Sequence, residues 1–145
     1  MIYHFILFSF FISSPFFTTH TGVGDIEVSL ANLENEEGAV CIILFANEEG
    51  YPEEPHKGEL FRVFSIEKRP GKYVLEDVPF GDYVLTLFHD ENENRILDKN
   101  FLGIPKEGYG ISRNPAPGTF GPPQFKSGSF AHRSDRTKLD IKLLY

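Results

Sequence analysis

The chain has 145 residues and a net charge of −7, with a single cysteine, Cys41. This length suits one domain with its own core, and a hydrophobic content of 41% excludes a disordered chain. The acidic balance argues against a nucleic-acid partner, which needs clustered Lys and Arg, and one cysteine excludes both a disulfide framework and a cysteine-based zinc cluster.

The chain begins with a segment that resembles a signal peptide. No Asp, Glu, Lys or Arg precedes Asp25, and residues 5–17 form an apolar run, FILFSFFISSPFF. That run is shorter than the about 20 apolar residues that span a bilayer, and it has the size of a signal-peptide core. No basic residue precedes it and no A-x-A-like site follows, so an uncleaved anchor or a structural segment are the alternatives. We expect a signal peptide over residues 1–22 and a secreted or periplasmic domain over residues 23–145, without a transmembrane segment.

The rest of the chain has the pattern of short β-strands. Residues 25–30 alternate between apolar and polar, and residues 40–45 are continuously apolar, which is typical of a central strand covered on both faces. Further strands are predicted at residues 60–67, 72–76, 83–88, 128–131 and 137–144. No segment keeps a helical period over three turns, and Gly/Pro turns separate the strands. The pattern predicts an all-β fold, a single-domain antiparallel β-sandwich; the alternative is an open sheet with a covering helix.

One long Gly/Pro-rich loop, residues 88–125, interrupts this pattern. It holds five of the ten prolines and five of the thirteen glycines. Connections of this length are usually functional or disordered. Because apolar residues recur along it, we expect them to pack onto the sandwich and to order the loop; these residues are Phe101, Leu102, Ile104, Tyr109, Ile111, Phe120 and Phe125.

The first part of this loop has the spacing of a calcium site. Asp90, Asn92, Asn94 and Asp98 occupy relative positions 1, 3, 5 and 9, and such oxygens can converge on one Ca²⁺ ion. The EF-hand pattern would have Gly at position 6, where this chain has Arg95, and a bidentate Glu at position 12. Calcium is therefore a candidate cofactor. The alternative is a polar loop whose Asn and Asp residues suit turn geometry.

Several strings in the chain resemble a known family of secreted bacterial proteins, the one labelled domain of unknown function 2141. They are NEEGYP at residues 47–52, VPFGDY at 78–83, FHDEN at 88–92, DKNFLGIPKEGYG at 98–110 and FGPPQF at 120–125. Members of the family often carry Gly in the Asp/Asn loop, which this chain lacks. The resemblance implies an exported β-sandwich similar to transthyretin-like and carboxypeptidase-regulatory-like modules, and it implies no known activity. We expect the sandwich to have a transthyretin/Ig-like Greek-key topology.

The histidines and nucleophiles give little support to catalysis. His89 ends a predicted strand beside Asp90 and is expected near Glu107, and such a group can do acid–base work or bind a transition metal. The alternative, which we favour, is a histidine that orients the loop by hydrogen bonds. No hydrolase, zinc-protease or phosphate-loop motif is present, and Cys41 lies in a core strand. We therefore predict that the chain is not an enzyme.

Aromatic residues give the loop a candidate binding surface. Tyr109, Phe120 and Phe125 could form a platform for a glycan or peptide, or they could anchor the loop to the core. With His89 and Glu107 they are the candidate ligand-binding residues. The sequence thus predicts an exported binding or accessory module at the cell envelope that acts through residues 88–125, with an envelope protein, peptide or glycan as partner. A calcium-stabilised structural domain and an enzyme using His89 are the alternatives.

Overall fold

The computed structural model describes residues 22–66, 71–118 and 121–145, so the predicted signal peptide lies almost entirely outside the described residues. The described parts contain eight strands, one short 3₁₀ turn at Pro55–Lys57 and one four-residue helix, α1 (Phe125–Gly128). The strands are β1 (Val23–Ala31), β2 (Ala39–Phe45), β3 (Leu60–Ser65), β4 (Lys72–Pro79), β5 (Gly81–Asp90), β6 (Tyr109–Ile111), β7 (Phe130–His132) and β8 (Arg136–Lys142).

The first sheet has the strand order β4-β1-β8. β1 pairs with β4 in antiparallel orientation, but β1 and β8 are parallel, with Val28 opposite Leu139. The predicted antiparallel sandwich therefore contains one parallel pair, while the other strand pairs of the described residues are antiparallel. A parallel pair needs a long crossover connection, and here five strands of the other sheet intervene between β1 and β8 along the chain, together with β4.

The second sheet has the order β3-β2-β5-β6, and β7 pairs with the beginning of β5. β2 lies between two partners, and all seven of its residues are buried. This confirms the prediction of a central strand, since a continuous apolar run is needed only where both faces are covered.

The two sheets pack face to face around one core, which confirms the predicted β-sandwich. Side chains alternate along each strand, so one set from each strand points between the sheets. The inner residues are Ile26 and Val28 from β1, Val40, Ile42 and Leu44 from β2, Tyr73, Leu75 and Val78 from β4, Leu85 and Leu87 from β5, and Ile141 from β8.

The outer face of the second sheet is also covered. Cys41, Ile43, Phe45 and Phe88 form a second buried cluster there. Side chains from the chain segments outside the sheet pack on it, namely Tyr51, Leu97 and Phe125, together with Phe61 and Tyr109 from the sheet's edge strands. Within residues 91–128, the part that the structure describes therefore forms a third layer, which we call the outer layer. It contains α1, and β6 within the same range joins the second sheet, so residues 91–128 are not the uninterrupted loop that the sequence predicts.

Candidate functional site: the outer layer over the second sheet

Two buried carboxylates hold the beginning of the outer layer. Asp90, the last residue of β5, accepts hydrogen bonds from the backbone N–H groups of Asn94 (3.0 Å, Oδ1) and Arg95 (2.8 Å, Oδ2). Glu107 accepts from the backbone N–H groups of Glu91 (3.2 Å, Oε1) and Asp98 (3.0 Å, Oε2). Buried backbone donors need such partners, and the two side chains therefore fix residues 91–98 from both ends.

The environment of Glu107 makes its charge costly. The side chain belongs to a residue that is only 5% exposed. Burial raises the pKa of Glu107 above its ordinary value, and the neighbouring Asp98 and Asp90 carboxylates raise it further, whereas the two backbone N–H donors lower it. Burial is the largest of these effects.

The structure brings the four predicted calcium ligands into one hydrogen-bonded cluster. The amide of Asn92 donates to Asp98 (2.6 Å), the amide of Asn94 donates to both Asp98 oxygens (3.3 Å), and the Asn94 backbone N–H also contacts Asp90. Arg95, at the position where the EF-hand pattern has Gly, adopts a φ of 62°, in the left-handed region that Gly favours. Across the described ranges, no three His, Cys, Asp or Glu side chains form a group that could hold a metal ion.

His89 lies on the inner side of β5, opposite to Asp90, and its Nδ1 lies 3.9 Å from a carboxylate oxygen of Glu91. Its Nδ1 lies 2.8 Å from the hydroxyl of Tyr145, and its Nε2 lies 2.8 Å from the carbonyl oxygen of Glu37. The carbonyl can only accept, so Nε2 carries a proton, and in the neutral ring Nδ1 accepts from the Tyr145 hydroxyl. That hydroxyl also accepts from the backbone N–H of Glu34 (3.2 Å). Both ring nitrogens are thus engaged in holding the 34–37 turn and the C-terminal residue.

Strand alternation explains why His89 and Asp90 do not form one catalytic group. Consecutive residues of β5 point to opposite faces of the sheet. The side chain of His89 contacts Glu37 and Tyr145, while Asp90 contacts the outer layer. Glu107 hydrogen-bonds to Glu91 and Asp98, on the side of Asp90. The arrangement of His89 with Glu107 that the enzyme alternative requires is not among the hydrogen-bonded contacts of the described residues.

Cys41 is buried beneath the carboxylate of Asp90. Its thiol donates to Asp90 Oδ2 at 3.6 Å. Burial raises the pKa of Cys41 to about 12, and the charge and hydrogen bond of Asp90 add to the effect. A thiol of this kind is not a nucleophile at neutral pH.

Of the three aromatic residues proposed as a platform, two serve as anchors. Tyr109 and Phe125 are half-buried and pack on the second buried cluster, which consists of Cys41, Ile43, Phe45 and Phe88. Phe125 contacts Tyr51 edge to face, with ring centroids 5.4 Å apart, and the Tyr51 hydroxyl donates to the carbonyl of Pro123 (3.0 Å). Phe120 lies outside the described residues. The aromatic side chains of the outer layer therefore attach it to the sheet.

A small hairpin, residues 98–106, projects from the outer layer, and we call it the finger. Lys106 N–H donates to the Asp98 carbonyl (2.8 Å), and Lys99 forms a β-bridge with Pro105. At the tip, the Asn100 and Ile104 backbones are joined by a 2.9 Å hydrogen bond. An Asn at the first position of the turn and a Gly three residues later are typical of a type I turn, so the sequence contained a signal for this element.

The finger exposes apolar side chains that were expected to pack onto the sandwich. Phe101 is 95% exposed, Leu102 68% and Ile104 55%. The prediction that these three residues anchor the loop is wrong. The hairpin satisfies its own backbone hydrogen bonds, so it does not need to rest on the sheet, and its tip turns the three side chains toward solvent.

A cavity of about 400 Å³ lies between the finger and the second sheet. Its walls are mostly apolar and come from β5, β6, the finger and the proline-rich segment that follows β6. Lys99 in the finger forms an ion pair with Glu53, which also lines the cavity. The principal wall residues are Phe88, Leu102, Ile104, Tyr109, Pro117 and Pro122. This cavity and the exposed tip together are the candidate binding surface.

In the portion of the chain that the structure covers, no helix has the length and apolar character needed to cross a membrane.

Comparison with known proteins gives one match. The family model described as "Uncharacterized protein conserved in bacteria (DUF2141)" matches residues 28–140, which is most of the chain. No curated protein and no solved structure matches the chain.

Proposed function

The chain belongs to this uncharacterised bacterial family, and we propose that it is an exported, non-catalytic binding module of the cell envelope. Its binding surface is the finger together with the cavity beneath it. The observation that carries this proposal is an ordered hairpin that leaves Phe101, Leu102 and Ile104 exposed beside an apolar cavity. Clustered exposed apolar residues mark interaction sites more often than scattered ones do.

The absence of a catalytic role is supported by the groups that chemistry would use. The two ring nitrogens of His89 are engaged by Tyr145 and Glu37. The thiol of Cys41 is buried with a raised pKa. Ser112 is buried, donates to the Gly128 carbonyl (2.6 Å) and accepts from the Leu85 N–H (3.0 Å), so its hydroxyl has a structural role.

Export is supported by residues 1–22, where a charge-free apolar run of signal-peptide length precedes the family match. Expression of the full chain in a bacterial host, followed by cell fractionation and mass spectrometry of the N-terminus, tests this part. We expect the protein in the periplasm or medium with its N-terminus near residue 23. Recovery of an intact N-terminus from the cytoplasm would contradict export.

Site-specific photo-crosslinking in living cells tests the binding surface. A photoreactive amino acid at Ile104, on the rim of the cavity, is expected to give discrete adducts with an envelope component. The same amino acid at Lys72, an exposed residue of β4 at the edge of the opposite sheet, is the matched control and is expected to give none. Equal adducts at both positions, or no adduct at Ile104, would contradict the proposal.

A second candidate role is a calcium-stabilised structural domain, which is favoured by the clustering of Asp90, Asn92, Asn94 and Asp98. For Ca²⁺ to bind, the Asn amides that now donate to Asp98 would turn their oxygens inward. Thermal melts with Ca²⁺ and with a chelator test this role, because saturation at a hundredfold the dissociation constant adds about 2.7 kcal/mol. An unchanged melting temperature at millimolar Ca²⁺ would remove this candidate.

A further inference from the structure

We infer that the finger docks the protein onto an anionic lipid surface by inserting Phe101 and Leu102 into the membrane interface. This inference rests on the proposed function, because it names the partner of the same surface. Four features of the finger support it. Hydrogen bonds fix its shape, most backbone N–H groups of its tip have acceptors, basic residues outnumber acidic ones, and the hairpin is narrow.

The tip of the finger is held in one shape by its own hydrogen bonds. The side-chain oxygen of Asn100 accepts from the backbone N–H groups of Leu102 (2.9 Å) and Ile104 (3.1 Å), and the Asn100 carbonyl accepts from the Gly103 N–H (2.9 Å). Gly103 adopts a φ of 79°, and a Cβ there would meet nothing within 4 Å, so the tip is open to its surroundings. The exposed apolar side chains are therefore presented on a fixed turn.

These hydrogen bonds also lower the free-energy cost of moving the tip from water into an apolar environment. Backbone N–H groups that lose water without gaining a partner oppose entry into lipid. In the finger, the N–H groups of Asn100, Leu102, Gly103 and Ile104 already have acceptors within the turn. The tip can thus leave water while it keeps most of its backbone hydrogen bonds, and an aromatic residue at the tip suits the interfacial region.

The charge of the finger differs from that of the whole chain. The finger, residues 98–106, contains two basic residues, Lys99 and Lys106, and one acidic residue, Asp98, although the chain carries a net charge of −7. Lys99 pairs with Glu53, and Asp98 accepts from the Asn92 and Asn94 amides. Lys106 is exposed at the base of the finger, and Arg95 is exposed in the segment that precedes it. Basic residues beside exposed apolar residues complement the negative headgroups of anionic lipids.

The shape of the finger favours a membrane over a folded protein as the partner. A stable protein interface buries about 800 Å² on each side over a broad surface. The tip offers three exposed apolar side chains, Phe101, Leu102 and Ile104, on a hairpin of nine residues. A fluid lipid interface can surround such a narrow projection, whereas a protein partner would also need contacts beyond it.

The test uses a fluorescent residue at the tip, because the chain contains no Trp. We expect Phe101→Trp to shift its emission to the blue and to be quenched by brominated acyl chains when vesicles of phosphatidylglycerol and phosphatidylcholine are added. The matched control is Val63→Trp, since Val63 is also exposed (39%) and lies on β3, at the opposite edge of the same sheet. All variants are the exported form with its N-terminus near residue 23, so the apolar run of residues 5–17 does not contribute to vesicle binding and a difference between variants is due to position.

Sedimentation with the same vesicles gives the affinity. We expect Phe101→Ser combined with Leu102→Ser to lower the partition coefficient by about tenfold or more, because most of the exposed apolar area is lost. Arg95→Gln combined with Lys106→Gln is expected to weaken binding to phosphatidylglycerol vesicles and to reduce its salt dependence. Val63→Ser is expected to bind as the unaltered chain does.

Unchanged emission of Phe101→Trp, or equal shifts at positions 101 and 63, would overturn the lipid inference. If vesicles fail to bind but the photoreactive residue at Ile104 captures a polypeptide, the binding surface stands and its partner is a protein. If both experiments fail, the proposed function and the lipid inference fall together.

Discussion

At the level of single residues, Asp90 and Glu107 show why a β-sandwich would keep carboxylates out of water. Each accepts two backbone N–H groups from residues 91–98, which would otherwise be left unpaired near the sheet. Apolar residues at these two positions would fill the space but leave the donors unsatisfied. A fully buried donor without a partner costs about 1–3 kcal/mol, and these four are partly buried, so each costs less. The two acids therefore stabilise the outer layer through its backbone.

Cys41 beneath Asp90 gives the first prediction. Because the pKa of Cys41 is raised to about 12, its thiolate fraction near pH 8 is about a thousandfold below that of a free thiol with a pKa of about 8.5. We expect no reaction of the native protein with iodoacetamide over hours, and rapid reaction after unfolding in guanidinium chloride. Mass spectrometry of the alkylated protein measures both. Rapid alkylation of the folded protein at pH 8 would contradict the buried position of the thiol.

Glu107 gives a prediction for the pH dependence of stability. Its pKa in the folded protein lies above the ordinary value of 4.5, so the folded state binds the proton more tightly than the unfolded state does. The resulting stabilisation is fully present below that value and is lost as the pH rises through the raised pKa. Glu107→Gln removes this titration. We expect the difference in unfolding free energy between the unaltered chain and the variant to decrease as the pH rises above 4.5.

Urea unfolding at a series of pH values measures this difference. Glu76→Gln, at an exposed position of β4 in the opposite sheet, is the matched control. If the difference for Glu107→Gln is independent of pH, or if it increases with pH, the described environment of Glu107 is incorrect.

At the level of elements, one side chain, that of Asn100, accepts two of the hydrogen bonds that hold the tip of the finger. Asn100→Ala removes the oxygen that accepts from the Leu102 and Ile104 N–H groups. We expect faster hydrogen exchange at those two amides and a change in global stability within about 0.5 kcal/mol, because the finger is exposed and contributes little to the core. NMR-detected exchange measures the first effect and urea unfolding the second.

Asn47→Ala is the control for this experiment, since the Asn47 side chain accepts from the Glu49 N–H (2.9 Å) in a similar turn after β2. It should accelerate exchange at Glu49 and leave the finger unchanged. A loss of global stability in Asn100→Ala, comparable to that of a core substitution, would mean that the finger supports the fold.

The sequence predicted the strands of the sandwich better than the elements of the outer layer. Residues 25–30 and 40–45 lie inside β1 and β2, because alternating or continuous apolar residues determine which faces can be buried. β6 was not predicted, since three residues with a central Gly carry no periodicity. Its position depends on β8: a Cβ at Gly110 would lie 2.6 Å from Ile141 Cγ2. Such a constraint comes from a residue 31 positions away and cannot be recognised locally.

Contacts that hydropathy does not show also limited what the sequence could predict about the candidate site. Asp90, Asn92, Asn94 and Asp98, which the spacing singled out, are joined by hydrogen bonds in the structure, and their role as calcium ligands stays a prediction. The exposed tip was missed because an apolar residue in a long loop has the same pattern whether it anchors the loop, as Tyr109 does, or faces solvent, as Phe101 does. Hydrogen bonds within the hairpin decide between these outcomes, and they are not visible in hydropathy.

At the level of the whole molecule, the described residues form three layers. The inner faces of the two sheets make one core, and the outer face of the second sheet makes another with residues of the outer layer. The backbone hydrogen bonds between Tyr109 and Leu144 (2.9 Å in both directions) connect β6 to the end of the chain. Because β2 and β5 contribute side chains to both cores, we expect the layers to unfold together.

Phe88→Ala tests this cooperativity. Phe88 is buried on the outer face of β5, where it belongs to the second buried cluster with Cys41, Ile43 and Phe45, and it also lines the cavity. Removing a buried phenyl ring costs about 3–5 kcal/mol, a large part of the about 5–15 kcal/mol that stabilises a typical domain. We expect a single urea transition at lower denaturant, coincident in far-UV circular dichroism and in tyrosine fluorescence.

Phe101→Ala, which removes the same ring from the exposed tip, should change stability by at most about 0.5 kcal/mol. Two separate transitions in Phe88→Ala would mean that the outer layer melts independently of the sandwich, and equal costs for the two variants would mean that Phe101 packs against the protein rather than projecting from it.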